Sequence, residues 1–470
     1  MDTVKIDTGY ISGTILGEPG REVYIYRGIP YAAPPVGDLR WKPPQLAASW
    51  SGIRECTAFS KITPQSSTTL PGARTSTPSS SPRFVMSQSE NCLYLNVLTP
   101  AKKSTENLPV MVWMHGGGFV FGSGNDLLYN APRLPQHGVL LVNVNMRLGP
   151  IGLLAHPLLS RESPDGVSGN YMFLDMIAAL RWVQKNIAAF GGDPNNVTIF
   201  GESGGSAKVV TLMASSLTRG LFHRIIAESG SPGGKPLKEL EAMGEKFFAK
   251  LGINEEKDPL KAVRALPWEK IMEVEQTLIK ELHATGRGGL WDIAVDGWFM
   301  PDEPLNIFMA GKQHRVAYIL GANLGELAAG PGRYLIPAYV GLFSGARKTG
   351  VKAYAYIFDQ VPSRWRQEGC PATHAMELPY VFGDWDNRTG FWSWLLNIAG
   401  PAGAKSADPG LTDAERKVSE VMMTIWTQFA KTGNPSVEGM VTWPAYEEAT
   451  DQYLYFAEYL EVKSGFSKIV

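Results

Sequence analysis

A serine set among small residues is the sharpest chemical signal in this chain. Gly201-Glu202-Ser203-Gly204-Gly205 is a G-x-S-x-G that follows an apolar β-branched run, Val197–Phe200, and precedes a helical stretch, Ser206–Met213. Strand, sharp turn and helix in that order are what a nucleophile elbow requires. Small neighbours permit the turn, the hydroxyl projects from the sheet edge, and the new helix N-terminus favours developing negative charge. A bare motif of this kind can also be an ordinary glycine-rich turn; the flanking elements argue for the elbow. Upstream, His115-Gly116-Gly117-Gly118-Phe119 follows a second apolar run, Val110–Met114. Glycines let backbone N–H groups approach a carbonyl oxygen that becomes negative in acyl transfer. A flexible turn or a phosphate loop would read similarly, although the G-K-[S/T] ending of a phosphate loop is missing. Together the two motifs point to acyl transfer through an activated serine far more specifically than either alone.

Both motifs need a sheet whose strand ends lie side by side. Apolar β-branched runs alternate with helical patterns, which predicts βαβ units in a mainly parallel sheet flanked by helices. The predicted strands are Val110–Met114, Val139–Asn145, Val197–Phe200, Arg224–Ala227, Val316–Leu320, Ala353–Phe358 and Tyr453–Phe456. Leu174–Phe190 has helical spacing and stops at Gly191-Gly192. Thr412 and Glu415 form a capping box before an amphipathic stripe of Val418, Val421, Met422, Ile425 and Phe429. A helical insertion is expected across 235–310, charged and poor in strand signals from Lys235 to Arg287. Residues 63–89, rich in Ser, Thr and Pro, read as a long surface loop.

Composition narrows the function classes. With 44 basic against 45 acidic residues, the net charge of −1 argues against a polyanion-binding surface, so nucleic acid is not an expected partner. No apolar run approaches the roughly 18 residues of a membrane span. Three cysteines in 470 residues exclude a disulfide scaffold, and no C-x-x-C or H-E-x-x-H spacing suggests a metal. Met1–Asp7 lacks the basic and apolar regions of a secretory signal, which is therefore absent or already removed.

Several further stretches resemble the type-B carboxylesterase family, which includes the cholinesterases, nearly end to end. They are Tyr26–Ala32, Glu90–Val97, Asn145–Gly149, Phe190–Pro194 and Trp426–Pro435, beside the two motifs above. The resemblance implies one α/β-hydrolase domain over 1–470, no cofactor, and a triad in the chain order serine, acid, histidine. It implies Ser203 as nucleophile, Glu326 as acid and His374 as base, with the N–H groups of Gly117, Gly118 and Gly204 as the oxyanion hole. His374 lies in Pro371–Gly383, a close match; Glu326 lies in Gly321–Glu326, where Gly325 and Leu327 replace the acidic residue and the glycine usual on either side. Glu202 matches the family and could tune the field or serve structure alone. Ser229 resembles a serine near the triad acid, though a strand-end turn is the plainer reading.

The same resemblance implies a disulfide between Cys56 and Cys92, and with it an oxidising compartment, secreted or periplasmic. It also implies an Arg40–Glu90 ion pair. Cholinesterases carry a tryptophan in this loop to hold quaternary ammonium by cation–π attraction. Here Phe59 and Phe84 are its only aromatic residues, which disfavours choline esters. The segment from Glu326 to His374 is short for the family, predicting a wide, exposed pocket for bulky esters. Phe391, Trp392 and Trp394 read either as core or as lining for its entrance. The expected activity is hydrolysis of small to medium carboxylic esters. Amide, carbamate or lactone cleavage on the same triad, or a non-catalytic binding module on the same fold, are the alternatives.

Overall fold

The computed structural model describes residues 3–65, 86–284, 289–328, 330–398, 406 and 408–469. Most of the expected surface loop, Phe84 included, lies outside those residues, as does Arg287.

An 11-stranded sheet organises the molecule. In chain order its strands are β1 (Thr14–Leu16), β2 (Val23–Pro30), β3 (Tyr94–Thr99), β4 (Leu108–Trp113), β5 (Leu140–Val144), β6 (Gly192–Glu202), β7 (Arg224–Glu228), β8 (Ala317–Asn323), β9 (Ala353–Phe358), β10 (Gln452–Phe456) and β11 (Leu460–Ser464). In space they run β11-β10-β9-β8-β7-β6-β4-β5-β3-β2-β1. Every neighbouring pair from β5 across to β10 is parallel, and the pairs outside that block are antiparallel. All seven expected strands are present, and together they are the parallel block.

Parallel strands covered on both faces must be apolar on both, and β4 and β9 show it. Val110 and Val112 pack into one apolar cluster and Met111 and Trp113 into the other, as the two-residue period of a strand dictates. Helices α1 (Tyr171–Asn186), α2 (Gly204–Ala214) and α3 (Leu335–Thr349) bury side chains in the first cluster, and α4 (Asp413–Thr432) in the second. The capping box of Thr412 and Glu415 forms, and α4 ends at left-handed Gly433. The helix expected over Leu174–Phe190 starts three residues earlier, at Tyr171, and closes in a 3-10 turn before Gly191, φ 82°.

Across 235–310 lie the helices Leu237–Leu251, Pro259–Ala265, Trp268–Ala284 and Pro304–Met309, with two-residue strands at Lys235–Pro236 and Ala294–Val295. Phe247, Phe248, Val263 and Ile271 join them to the cluster that also contains β4. No helix among the described residues is long and apolar enough to cross a membrane.

The expected disulfide is absent. Cys56 and Cys92 are buried free thiols, and burial pushes their pKa values up to about 11 and about 12. Oxidation starts from a thiolate, which that burial suppresses, so the ground for assigning an oxidising compartment is lost. An ion pair secures this stretch instead. Arg40 donates to both oxygens of Glu90, at 2.6 and 2.7 Å, and to the Val263 carbonyl at 2.8 Å.

Candidate active site

The parallel register brings the chemistry together. Glu202 at the end of β6 pairs with Glu228 of β7, which pairs with Gly321 of β8, so the three strands deliver their following turns to one place. Ser203 stands between β6 and α2 with φ 58° and ψ −121°, a conformation that costs a residue with a side chain about 1–3 kcal/mol. Its N–H donates to the Glu228 carbonyl at 2.7 Å, and its own carbonyl accepts from Ala207 in α2. The small neighbours are required by β4, which ends directly against the turn. A Cβ on Gly205 would lie 2.0 Å from the Met114 carbonyl oxygen, and one on Gly201 2.5 Å from the same atom.

The glycine loop after β4 packs on this turn. A Cβ on Gly116 would sit 3.0 Å from the Glu202 carbonyl and 3.5 Å from the Ser203 Cβ. Gly117 and Gly118 have φ of 97° and 57°, and the Gly117 carbonyl accepts from Val120 and Phe121. Gly204 faces the loop so closely that a Cβ there would lie 2.7 Å from the Gly118 nitrogen. Gly117, Gly118, Ser203 and His374 line one cavity of about 290 Å³.

On the opposite side, His374 Nδ1 lies 2.5 Å from Glu326 Oε2. Glu326 closes a 3-10 turn after β8, and its other carboxylate oxygen accepts from the Asn323 N–H at 2.8 Å. The two departures around Glu326 have structural reasons. Gly325 donates to the Ala372 carbonyl, where a Cβ would strike Pro371 at 2.4 Å, and Leu327 is buried. The His374 side chain is 39% exposed, so its edge is open to the cavity. Its Nε2 lies 3.1 Å from Glu202 Oε1, an oxygen with no aligned hydrogen-bond donor.

Three charged residues here carried no role in the sequence reading. Glu377, three residues after His374, is fully buried and accepts from Ser229 Oγ at 3.3 Å and from Asn323 Nδ2. Glu228 accepts from Trp426 Nε1 of α4 at 2.8 Å. Burial, and then the mutual repulsion of these carboxylates, raises Glu202 and Glu228 well above the usual range and Glu377 to about 7. Burial works against the His374 imidazolium, but Glu202 and Glu326 outweigh it and hold its pKa above the ordinary value. Lys208 of α2 is the third, a buried lysine within an otherwise uncharged helix. A charged residue where the helical pattern calls for an apolar one was the available signal.

Ser229 occupies a strand-end turn with φ 54° and bonds Glu377, not Glu326. Phe391 and Trp392 are core, while Trp394 lines the cavity. The segment from Glu326 to His374 contains α3, which packs beneath the acid's strand through Tyr339, whose hydroxyl donates to the Gly321 carbonyl at 3.1 Å.

Comparison with known proteins finds relatives along nearly the whole chain. A family model described as Carboxylesterase family matches residues 1–330 and 334–468. The para-nitrobenzyl esterase of Bacillus subtilis (strain 168) is 33% identical, covering 94% of this chain and 93% of its own. The fumonisin B1 esterase of Sphingopyxis macrogoltabida is also 33% identical, covering 93% and 84%. A solved PNB esterase superimposes with a TM-score of 0.81 at 30% identity, covering 98% of this chain and 97% of that one. With the sheet order, the strained serine and the match along nearly its whole length, the chain belongs to the carboxylesterase family and has the α/β-hydrolase fold.

Proposed function

We propose that this protein hydrolyses carboxylic esters through an acyl-enzyme on Ser203, with His374 as general base and acid and Glu326 as its orienting carboxylate. The observation that carries the reading is a serine held at positive φ in a cavity it shares with a histidine whose far nitrogen is 2.5 Å from a carboxylate. Ser203 Oγ attacks the ester carbonyl carbon while His374 Nε2 takes its proton. Glu326 fixes the tautomer and stabilises the imidazolium that forms. The carbonyl oxygen becomes an oxyanion received by the N–H groups of Gly117, Gly118 and Gly204, beside the N-terminus of α2. Collapse breaks the bond to the alkoxy oxygen, which leaves with the proton from His374. Water then attacks the acyl-enzyme by the same route in reverse, releasing the acid and restoring Ser203.

Stopped-flow hydrolysis of para-nitrophenyl butyrate, with Ser203→Ala as control, tests this. Wild-type turnover that disappears in the control is expected. Equal turnover by both proteins would place the nucleophile elsewhere, and no turnover by the folded wild type would end the reading.

A further inference from the structure

Among the described residues, Arg40, Arg147 and Lys208 are the lysines and arginines buried as whole residues. Two have the partner that burial demands. Arg40 holds both oxygens of Glu90, and Arg147 holds both oxygens of Asp175 at 2.6 and 2.8 Å. Lys208, equally buried, donates to a backbone carbonyl instead, that of His115 at 2.8 Å, and its ammonium lies 6.0 Å from the centre of the Phe119 ring. A desolvated ammonium held by a neutral carbonyl and a ring face is a poor bargain for stability, since an apolar side chain of similar volume is often equal or better. Its placement is nonetheless specific. His115 and Phe119 are the two residues that bracket the glycine run 116–118, and one side chain bonds the first and faces the ring of the second.

We propose that Lys208 is a positioning residue for the oxyanion hole, tying the helix that begins at Ser203 to both flanks of the loop that carries Gly117 and Gly118. The inference rests on the reading of those glycines as oxyanion donors. The loop needs such a tie. Gly117 and Gly118 have positive φ and no side chains to anchor them, and an oxyanion donor acts only if it is held near 2.7–3.1 Å from where the oxygen will be. Lys208 lies one turn along α2, and its ammonium reaches back to the loop at the His115 carbonyl without being one of the residues that line the cavity. Glycines that must stay bare for the oxyanion thereby gain their rigidity from a residue behind them. Burial drives the Lys208 pKa down to about 7, as expected of a cation without an anionic partner.

The test is Lys208→Met, which keeps the length and removes the charge and the donor. Its melting temperature is expected to equal or exceed that of the wild type, while kcat on para-nitrophenyl butyrate falls about tenfold to a hundredfold. That is less than the roughly 10²–10³ of a whole lost donor, with KM within about threefold. Inhibition by an alkyl trifluoromethyl ketone should weaken by the same factor as kcat/KM. Ser203 adds to that ketone's carbonyl carbon, its proton passes to His374, and the adduct's oxyanion sits in the hole. Lys208→Gln, shorter but still a donor, is expected between the two and serves if the Met variant does not fold. A folded variant with kcat and inhibition within twofold of the wild type overturns the proposal alone. A wild-type protein without turnover overturns the esterase reading with it.

Discussion

On one side of the cavity the loop at 115–119 and the elbow at 201–205 meet backbone to backbone. On the other, Glu326 and His374 meet through charged side chains, with buried Glu377 held nearby by Ser229 and Asn323. The first side is fixed by exclusion. Gly116, Gly201, Gly204 and Gly205 each pack where a Cβ would come within 3.0 Å of a main-chain atom across the contact. The second is fixed by attraction, through one histidine and several carboxylates sharing few protons. Steric exclusion tolerates little change and does not depend on pH, whereas a charge cluster keeps its shape while its protonation shifts. The two sides of the cavity should therefore fail differently when altered.

The charged side should give the largest change in rate. Glu326→Gln preserves the shape but leaves His374 free to adopt the wrong tautomer, and kcat is expected to fall about 10⁴-fold at nearly unchanged melting temperature. A loss below tenfold in steady-state hydrolysis would show that Glu326 is not the orienting acid. The backbone side should respond in stability. Gly205→Ala drives a Cβ to 2.0 Å from the Met114 oxygen, and overpacking of this kind costs about 3 kcal/mol or more in a denaturant titration. An alanine variant as stable as the wild type would mean that the β4–α2 contact yields easily, and the contrast between the two sides would collapse.

The same contrast decides how much of the molecule was legible in its sequence. Ser203 was readable because exclusion leaves a mark in residue type, Gly201, Gly204 and Gly205 around it between a strand and a helix, and Gly117 and Gly118 because their positive φ favours glycine. Glu326 and His374 came only through family resemblance, since a carboxylate and an imidazole gathered from separate loops leave no local pattern. Glu377 was passed over for the same reason, whereas Lys208 was passed over although a lone charge in an uncharged helix marked it. The parallel strands were plain because both their faces are buried. The antiparallel edge strands were missed: β1 has three residues with Ile15 half exposed, and β2 contains Gly28 and Pro30 with its register broken between Tyr26 and Ile29. Cys56 and Cys92 show the opposite error, since two cysteines at a family's spacing do not specify a bridge.

A smaller effect should appear in the pH profile. His374 accepts a proton from Ser203 only when neutral, so kcat/KM rises with pH through its pKa and is lost below it. Nearby carboxylates raise that pKa, which puts the midpoint above the ordinary value of about 6.5. Glu202→Gln removes the carboxylate 3.1 Å from Nε2, and the midpoint is expected to move to lower pH by about one unit, worth about 1.4 kcal/mol. A shift upward, or none, would show that Glu202 is already uncharged where His374 titrates, with Glu326 alone raising it.

The smallest effect concerns which esters enter. Phe121, Tyr129, Trp394 and Leu395 give the cavity apolar walls, and its described lining carries the carboxyl groups of Asp126 and Glu202 but no lysine or arginine. An acyl chain that ends in a carboxylate therefore meets the Asp126 carboxyl group, with no lysine or arginine in the described lining to receive it. Like charges 4 Å apart repel by about 1 kcal/mol even in water, which is about fivefold in rate. Hydrolysis of para-nitrophenyl butyrate is thus expected to exceed that of the mono-para-nitrophenyl ester of glutaric acid by about fivefold or more in kcat/KM, narrowing as salt screens the charges. Asp126→Asn should narrow it without salt. Equal rates for the two esters at low salt would mean that the acyl chain lies along the apolar wall, out of reach of Asp126, and that the charged side of the cavity acts on the proton alone.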